Sequence, residues 1–114
     1  MKQSEIWLIN LDPAIGAEIR KTRPAIIVSD DALGKLPLRV IVPITDWKDK
    51  FFVAPWMVRL VPDRINNLSK ISSADCFQLR SISENRVIRK IGRIENETFI
   101  KLQEALANVL SIPF

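Results

Sequence analysis

Four charged side chains lie within six residues near the N-terminus: Glu18, Arg20, Lys21 and Arg23. Pro24 and an apolar run over residues 25–28 follow directly, so we predict a charged loop that leads onto a rigid strand. Such a loop gives access to functional groups, and the strand fixes their position. The charges either serve a binding site or only solvate a turn, and both interpretations stay open at this point.

The types of ionisable residue restrict the chemistry. The chain has no histidine, and Cys76 is its only cysteine. Acid–base chemistry near neutral pH must therefore use carboxylates, arginine, lysine or hydroxyls, and the usual zinc sites cannot form. Cys76 cannot form an internal disulfide and has no histidine to activate it. We expect neither a metal nor a cofactor.

The charge balance is basic. Lysine and arginine total 17 against 13 acidic residues, a net charge of +4, which favours an anionic partner: nucleic acid first, an acidic peptide second. The longest apolar run, residues 51–58, is strand-sized and contains Pro55, so we predict no membrane span. The N-terminus lacks the apolar core of a secretory signal, and we expect a cytoplasmic protein.

The hydrophobic pattern predicts a mainly β chain that holds the charged loop between its first two strands. Pro43 indicates that the third strand, residues 38–45, is an edge strand or carries a bulge, which sets Thr45 at its end. Gly34 marks a loop before that strand. The other strands are predicted over residues 4–11, 24–28, 51–61 with a bend at Pro55, 69–81, and 86–94 with a bulge or bend at Gly92.

A C-terminal helix follows the strands. Asn96 is its predicted N-cap. An apolar stripe is predicted to face the sheet: Phe99, Leu102, Leu106, Val109 and Leu110. Strands followed by one helix imply a single α+β domain over residues 1–114, a small barrel-like antiparallel sheet closed by a helix.

Several stretches together resemble the PemK/MazF family of toxin endoribonucleases. They are EIWLINLDPAIGAEIRKTRPAIIVS, IVPIT, LSKISSADCFQLRSI, and IGRI followed by ENETF, in family order over nearly the whole chain. Residues 46–67 match poorly. The resemblance implies an SH3-like barrel with a C-terminal helix that forms a homodimer. It also implies a toxin that cuts single-stranded mRNA without a metal, leaving a 2′,3′-cyclic phosphate and a 5′-hydroxyl, and that a cognate acidic antitoxin neutralises.

The resemblance also implies site residues. The family arginine falls on Arg23, the family threonine on Thr45, and a less constant acid on Glu18. The planar fork of arginine matches phosphate oxygens, so we predict that Arg23 is the phosphate clamp and a candidate proton donor. Thr45 would donate to a phosphoryl oxygen, and Glu18 is the contingent base. Without the resemblance, these residues would be ordinary solvated turn and strand-end residues.

Further RNA contacts are predicted for Arg20, Lys21, Trp47, Asp75, Gln78 and Arg80. Trp47 either stacks on a base or packs in the core. Some family members have an acid before the glutamine, where this chain has Phe77. If residues 69–81 form one regular strand, Asp75 shares a face with Phe77, and whether Asp75 replaces the missing acid is open.

Two other functions remain alternatives at this stage. The first is a non-enzymatic toxin of the same barrel type that binds and blocks a DNA topoisomerase. The second is a plain nucleic-acid or protein-binding barrel. The sequence does not indicate the RNA motif, the identity of the antitoxin or the dimer contact.

Overall fold

A computed structural model describes residues 1–33 and 35–113, and within these residues seven strands precede one α-helix. Gly34, predicted to lie in a loop, is outside the described residues. The mainly β architecture with a C-terminal helix is confirmed. The elements are β1 (Glu5–Asn10), β2 (Thr22–Ile27), β3 (Leu38–Asp46), β4 (Met57–Leu60), β5 (Ser72–Asp75), β6 (Arg80–Ser83), β7 (Val87–Arg93) and α1 (Asn96–Leu110).

The strands form one antiparallel sheet. Their order is β4-β5-β3-β2-β1-β7, and β6 also pairs with β3. In the part of the chain that the structure describes, the end strands β4 and β7 do not pair, so the sheet is open and the word barrel applies only loosely.

Both faces of β2 are buried, against different partners. Ile26 packs in the core cluster that includes Phe99 and Leu102 of α1. Ala25 and Ile27 point to the opposite face and join a second cluster, against which Ile19 of the charged loop packs. Alternation along the strand explains this division, because successive side chains point to opposite faces. The second cluster anchors the charged loop on the face opposite the helix.

Of the two alternatives that Pro43 suggested for β3, an edge strand or a bulge, the edge strand is wrong. β3 pairs with β2 on one side and with β5 and β6 on the other. The Val40 carbonyl accepts from Val28 on the β2 side, so alternation directs the backbone of Pro43 to the other side. There the β6 pairing ends at Ile41 and the β5 pairing begins at Ile44. Pro43 is tolerated in a central strand because its missing N–H falls between two partners.

The single strand predicted over residues 69–81 is also wrong. A 3₁₀ turn, Cys76–Gln78, separates β5 from β6. Phe77 is 68% exposed whereas Asp75 is buried, so the two do not share a face. The apolar and β-prone composition indicated extended structure but gave no signal for the turn.

The segment predicted to be extended over residues 51–61 is only partly so. A 3₁₀ helix, Asp49–Val53, precedes β4, and Pro55 lies in the turn between them. In β7, the irregularity expected at Gly92 is confirmed. The register against β1 shifts between Ile6 and Trp7. A Cβ at Gly92 would come within 2.5 Å of the Ile65 carbonyl oxygen, so only glycine fits there.

The helix α1 is confirmed with two corrections. The N-cap is Glu95 rather than Asn96, which is the first helical residue. Leu110 is 52% exposed and lies outside the buried face, to which Ala105 and Ala107 contribute instead. Across residues 1–33 and 35–113, no helix has both the length and the apolar character that crossing a membrane requires.

Candidate active site

Arg23 and Thr45 come together where β2 and β3 diverge. The observed register pairs Ala25 with Pro43 and Ile27 with Ile41. Extending this register by two residues places Arg23 opposite Thr45. Both residues line one cleft of about 470 Å³, here called the β2–β3 cleft. The two residues that the sequence singled out first therefore share one concave surface.

The guanidinium of Arg23 is held at one end. Its Nε donates to the Arg20 carbonyl oxygen at 3.3 Å. To residues 1–33 and 35–113 its two terminal nitrogens make no hydrogen bond, so their four N–H groups are available to an anion. Arg23 is half-buried at the strand end. The side chain is therefore oriented by the loop and open to a ligand.

The charged residues that line the β2–β3 cleft are mainly cationic. Lys70 and Arg89 line it together with Arg23, and Asp46 is its only acidic residue among those described. The ammonium of Lys70 lies 2.9 Å from the carboxylate of Asp46. This hydrogen bond lowers the pKa of Asp46, and the charges of Lys70 and Arg23 act in the same direction. The cleft can bind an anion, and the negative charge of Asp46 reduces the net positive charge of the cleft.

Sequence reasoning missed Asp46 and Lys70. Asp46 directly follows Thr45, so its place at the strand end was a usable signal. Lys70 reaches the cleft because β5 pairs with β3, with Ser72 opposite Asp46. No local pattern marks that contact.

Glu18 lines a second cleft, of about 320 Å³, together with Ala17, Ile19, Phe77 and residues 78–80. We call it the loop cleft. The carboxylate of Glu18 accepts from the Ile15 backbone N–H at 2.6 Å and so closes its own turn. The structure does not bring Glu18 into the cleft that Arg23 and Thr45 line, and its role as contingent base stays a prediction.

Gln78 and Arg80 hold the charged loop, and their predicted contacts with RNA stay predictions. The Gln78 side-chain oxygen accepts from Ile19 N–H at 2.9 Å, and its amide nitrogen donates to the Ala17 carbonyl at 3.0 Å. Nη1 of Arg80 donates to the carbonyl of Leu11 at 3.2 Å. Both side chains therefore spend donors on backbone carbonyls of residues 11–17.

Asp75 lies at the end of β5 and is only 8% exposed. Its carboxylate accepts from the Phe77 backbone N–H at 3.1 Å and caps the 3₁₀ turn. Burial raises the pKa of Asp75, while hydrogen bonds from the backbone of Phe77 and Gln78 oppose that rise. Asp75 is not among the described residues that line the two clefts. Asp75 therefore caps the turn, and its predicted contact with RNA stays a prediction.

Trp47 packs within an aromatic cluster. Its ring centroid lies 4.9 Å from that of Phe52 and 5.7 Å from that of Phe51, both edge-on, and the Arg59 guanidinium lies 5.5 Å from the ring. Phe52 is 67% exposed and is the more accessible ring of this group. Trp47 belongs to neither core cluster and is only partly buried, so base stacking by Trp47 stays a prediction.

The remaining predicted contacts, Arg20 and Lys21, are exposed at the end of the loop. Lys21 adopts a positive φ of 71° and donates its backbone N–H to Asp12 at 3.0 Å. Cys76 is fully buried, and burial, with the charge of Asp75 adding, raises the pKa of its thiol to about 12. A thiol with that pKa is not a nucleophile near neutral pH.

No three potential metal ligands among histidine, cysteine, aspartate and glutamate lie together within residues 1–33 and 35–113. The buried side-chain nitrogen and oxygen atoms of the same residues all have hydrogen-bond partners. The described surface therefore offers cationic and hydroxyl groups to a ligand rather than a carboxylate cage.

Comparisons with known proteins agree with this picture. Residues 2–110 match the family model of the PemK-like, MazF-like toxin of type II toxin-antitoxin systems. Endoribonuclease MazF9 of Mycobacterium tuberculosis is 35% identical over 93% of this chain and 92% of its own length. Endoribonuclease PemK of Escherichia coli is 30% identical over 93% of this chain and 82% of its own. A mycobacterial endoribonuclease solved with its cognate antitoxin is similar in fold, with a TM-score of 0.80 over 100% of this chain and 98% of that chain at 18% identity.

Proposed function

Because the chain belongs to the PemK-like, MazF-like toxin family of type II toxin-antitoxin systems, we propose that it is an endoribonuclease that cleaves single-stranded mRNA and thereby stops translation. The observation that supports the site assignment is the cationic β2–β3 cleft, which Arg23 and Thr45 both line. The curated relatives named as endoribonucleases support the same activity.

Cleavage proceeds by transesterification. The 2′-oxygen bonds to phosphorus while the bond from phosphorus to the 5′-oxygen breaks, which leaves a 2′,3′-cyclic phosphate and a 5′-hydroxyl. One proton leaves the 2′-hydroxyl, and one is taken up by the 5′-oxygen. The reaction consumes no water and adds negative charge to the phosphoryl oxygens in the transition state. A site that stabilises this charge lowers the barrier.

Arg23 and Thr45 supply that stabilisation. The free terminal N–H groups of Arg23 bind the phosphoryl oxygens, while its Nε remains on the Arg20 carbonyl. The Thr45 hydroxyl donates to a second oxygen of the same phosphate. Arg89, and Lys70 through the ammonium hydrogens that Asp46 does not bind, hold the neighbouring phosphates of the strand. The residues perform this chemistry with no metal.

Proton transfer requires a base for the 2′-hydroxyl and an acid for the 5′-oxygen. Glu18 is the contingent base, and it must release the Ile15 N–H and reach the β2–β3 cleft before it can accept the 2′-proton. Arg23 is the candidate donor to the leaving oxygen.

The active assembly is a homodimer of two protomers. It acts in the cytoplasm, where the mRNA is.

The partner that neutralises the toxin is an acidic antitoxin. The mycobacterial relative solved with its cognate antitoxin supports such a partner. A cationic cleft that binds RNA phosphates also attracts carboxylates of a disordered acidic segment, so antitoxin and RNA compete for the same groups. Cleavage that continues in a complex holding both ligands would contradict this shared site.

The deciding experiment is incubation of the pure protein with a mixed pool of single-stranded RNA in excess EDTA, followed by sequencing of the ends. We expect fragments with 2′,3′-cyclic phosphate and 5′-hydroxyl ends at a preferred motif. Intact RNA, together with strong inhibition of DNA supercoiling, would overturn the proposal in favour of a topoisomerase-blocking toxin.

A further inference from the structure

The loop between β1 and β2 has no regular structure, yet side chains from the second half of the chain fix it. Three of them donate to its backbone: Gln78 to Ala17, Arg80 to Leu11, and Arg86 to Asn10 and Asp12. Among these, Gln78 uses both ends of its side chain, because it also accepts from Ile19 N–H. The loop conformation is therefore set by tertiary contacts.

The two bonds of Gln78 bracket Glu18, and the next residue after Ile19 is Arg20, whose carbonyl accepts from Nε of Arg23. We propose that Gln78 is a positioning residue that holds residues 17–20 so that the Arg23 guanidinium points its free N–H groups into the β2–β3 cleft. This inference rests on the proposed function and deepens it. It assigns Gln78 to the toxin's own loop rather than to RNA.

Gln78 is itself held rigidly. It ends the 3₁₀ turn that Asp75 caps, and the backbone N–H of Cys76 in the same turn donates to the Trp56 carbonyl at 2.9 Å. Cys76 is fully buried in the core cluster under α1. Ile19 packs against the opposite core cluster. The hydrogen bonds of Gln78 therefore connect two anchored segments, and Gln78 and Ile19 lie 59 residues apart in sequence.

The choice of residue fits this role. A glutamine side chain ends in a carbonyl oxygen that accepts and an amide nitrogen that donates, which match one N–H and one C=O of the loop. Loss of a positioning contact lowers kcat, because Arg23 then spends less time in the productive geometry, whereas loss of a direct substrate contact raises KM.

The test compares Gln78→Met with Gln103→Met. Met keeps the shape of the side chain and removes both hydrogen bonds, and Gln103 is an exposed residue of α1 that serves as control. We expect Gln78→Met to lower kcat about tenfold with KM changed less than about twofold, and to speed hydrogen exchange of the Ile19 amide about tenfold. The Ile26 amide within β2 should exchange at the wild-type rate in both variants.

Gln78→Glu provides a graded variant. Its carboxylate still accepts from Ile19 N–H but cannot donate to the Ala17 carbonyl, so we expect a protected Ile19 amide and a kcat between those of wild type and Gln78→Met. A raised KM at unchanged kcat, or unchanged Ile19 exchange in Gln78→Met, would overturn the inference. If wild-type protein leaves RNA intact, the proposed function fails instead, and the exchange rates still decide whether Gln78 holds the loop.

Discussion

The β2–β3 cleft and the loop cleft contain similar residue types but use them differently. In the β2–β3 cleft, Arg23 has one N–H group bound to the loop and its terminal groups free of the described residues. In the loop cleft, Nη1 of Arg80 donates to a backbone carbonyl, and both ends of the Gln78 side chain form hydrogen bonds with the loop backbone. A cationic or polar side chain near a cleft can therefore bind a ligand only through donors that the protein has not already used.

Replacement of Arg23 should give the largest effect. Arg23→Ala removes the free donors of the β2–β3 cleft, and we expect cleavage to fall by about 10³-fold or more. The circular dichroism spectrum should stay unchanged, because the lost bond to the Arg20 carbonyl lies at the surface. The control is Arg93→Ala, an exposed arginine of β7. Cleavage retained in Arg23→Ala would break the assignment of this cleft.

Arg80→Ala should affect stability more than activity. It leaves the carbonyl of fully buried Leu11 without its side-chain donor, which should lower the free energy of unfolding by about 1–3 kcal/mol. We expect cleavage by the folded fraction to fall less than about threefold. Urea unfolding curves and initial rates measure the two quantities. Wild-type stability with weakened RNA binding would instead make Arg80 a substrate ligand.

Asp46→Asn should strengthen binding of an uncleavable 2′-deoxy oligonucleotide by about two- to fivefold at low salt, because the only acid in the described cleft lining loses its charge. The difference from wild type should shrink with added salt. Since the pKa of Asp46 is lowered, the carboxylate stays charged until the pH falls through that value, and only there should the two proteins converge. Fluorescence anisotropy across pH measures this. Equal affinities at pH 7 would show that the charge of Asp46 does not weaken binding of the oligonucleotide.

Asp75→Asn should give the smallest effect. The amide oxygen can still accept from Phe77, so we expect unchanged cleavage and a free energy of unfolding within about 1 kcal/mol of wild type at pH 7. Burial raises the pKa of Asp75, so the folded wild type binds a proton more readily than the unfolded chain. Wild type should therefore gain stability relative to Asp75→Asn as the pH falls from above this pKa towards the ordinary aspartate value. Lost cleavage at normal stability would restore a catalytic role for Asp75.

The resemblance to the PemK/MazF family, rather than the local pattern, predicted Arg23 and Thr45 as site residues. The local pattern indicated only a charged loop that leads onto an apolar strand and a hydroxyl at the end of the next strand. Antiparallel pairing then fixed their relative position. The role of Gln78 was not predictable in this way, because its partners lie about 60 residues away and the intervening turn carries no local signal.

The predicted regular strand over residues 69–81 failed for a related reason. Its β-prone composition is compatible with extended structure throughout, but the buried carboxylate of Asp75 stabilises a 3₁₀ turn that reorients Phe77. The edge strand predicted from Pro43 was also wrong, because β3 is a central strand. Proline disfavours a central strand in general, and here the break between two partner strands removes the penalty.

By itself the sequence determined the antiparallel sheet, the C-terminal helix and the basic charge, because hydrophobic periodicity and residue chemistry are local properties, whereas Arg23 and Thr45 were indicated only by its resemblance to the PemK/MazF family. Tertiary structure alone decided which side-chain donors are free. A hydrogen bond to the backbone of a distant segment occupies a donor, and no local sequence pattern indicates that bond. Tertiary structure also decided that Asp46 and Lys70 meet beside Thr45, because only the pairing of β3 with β5 brings those segments together.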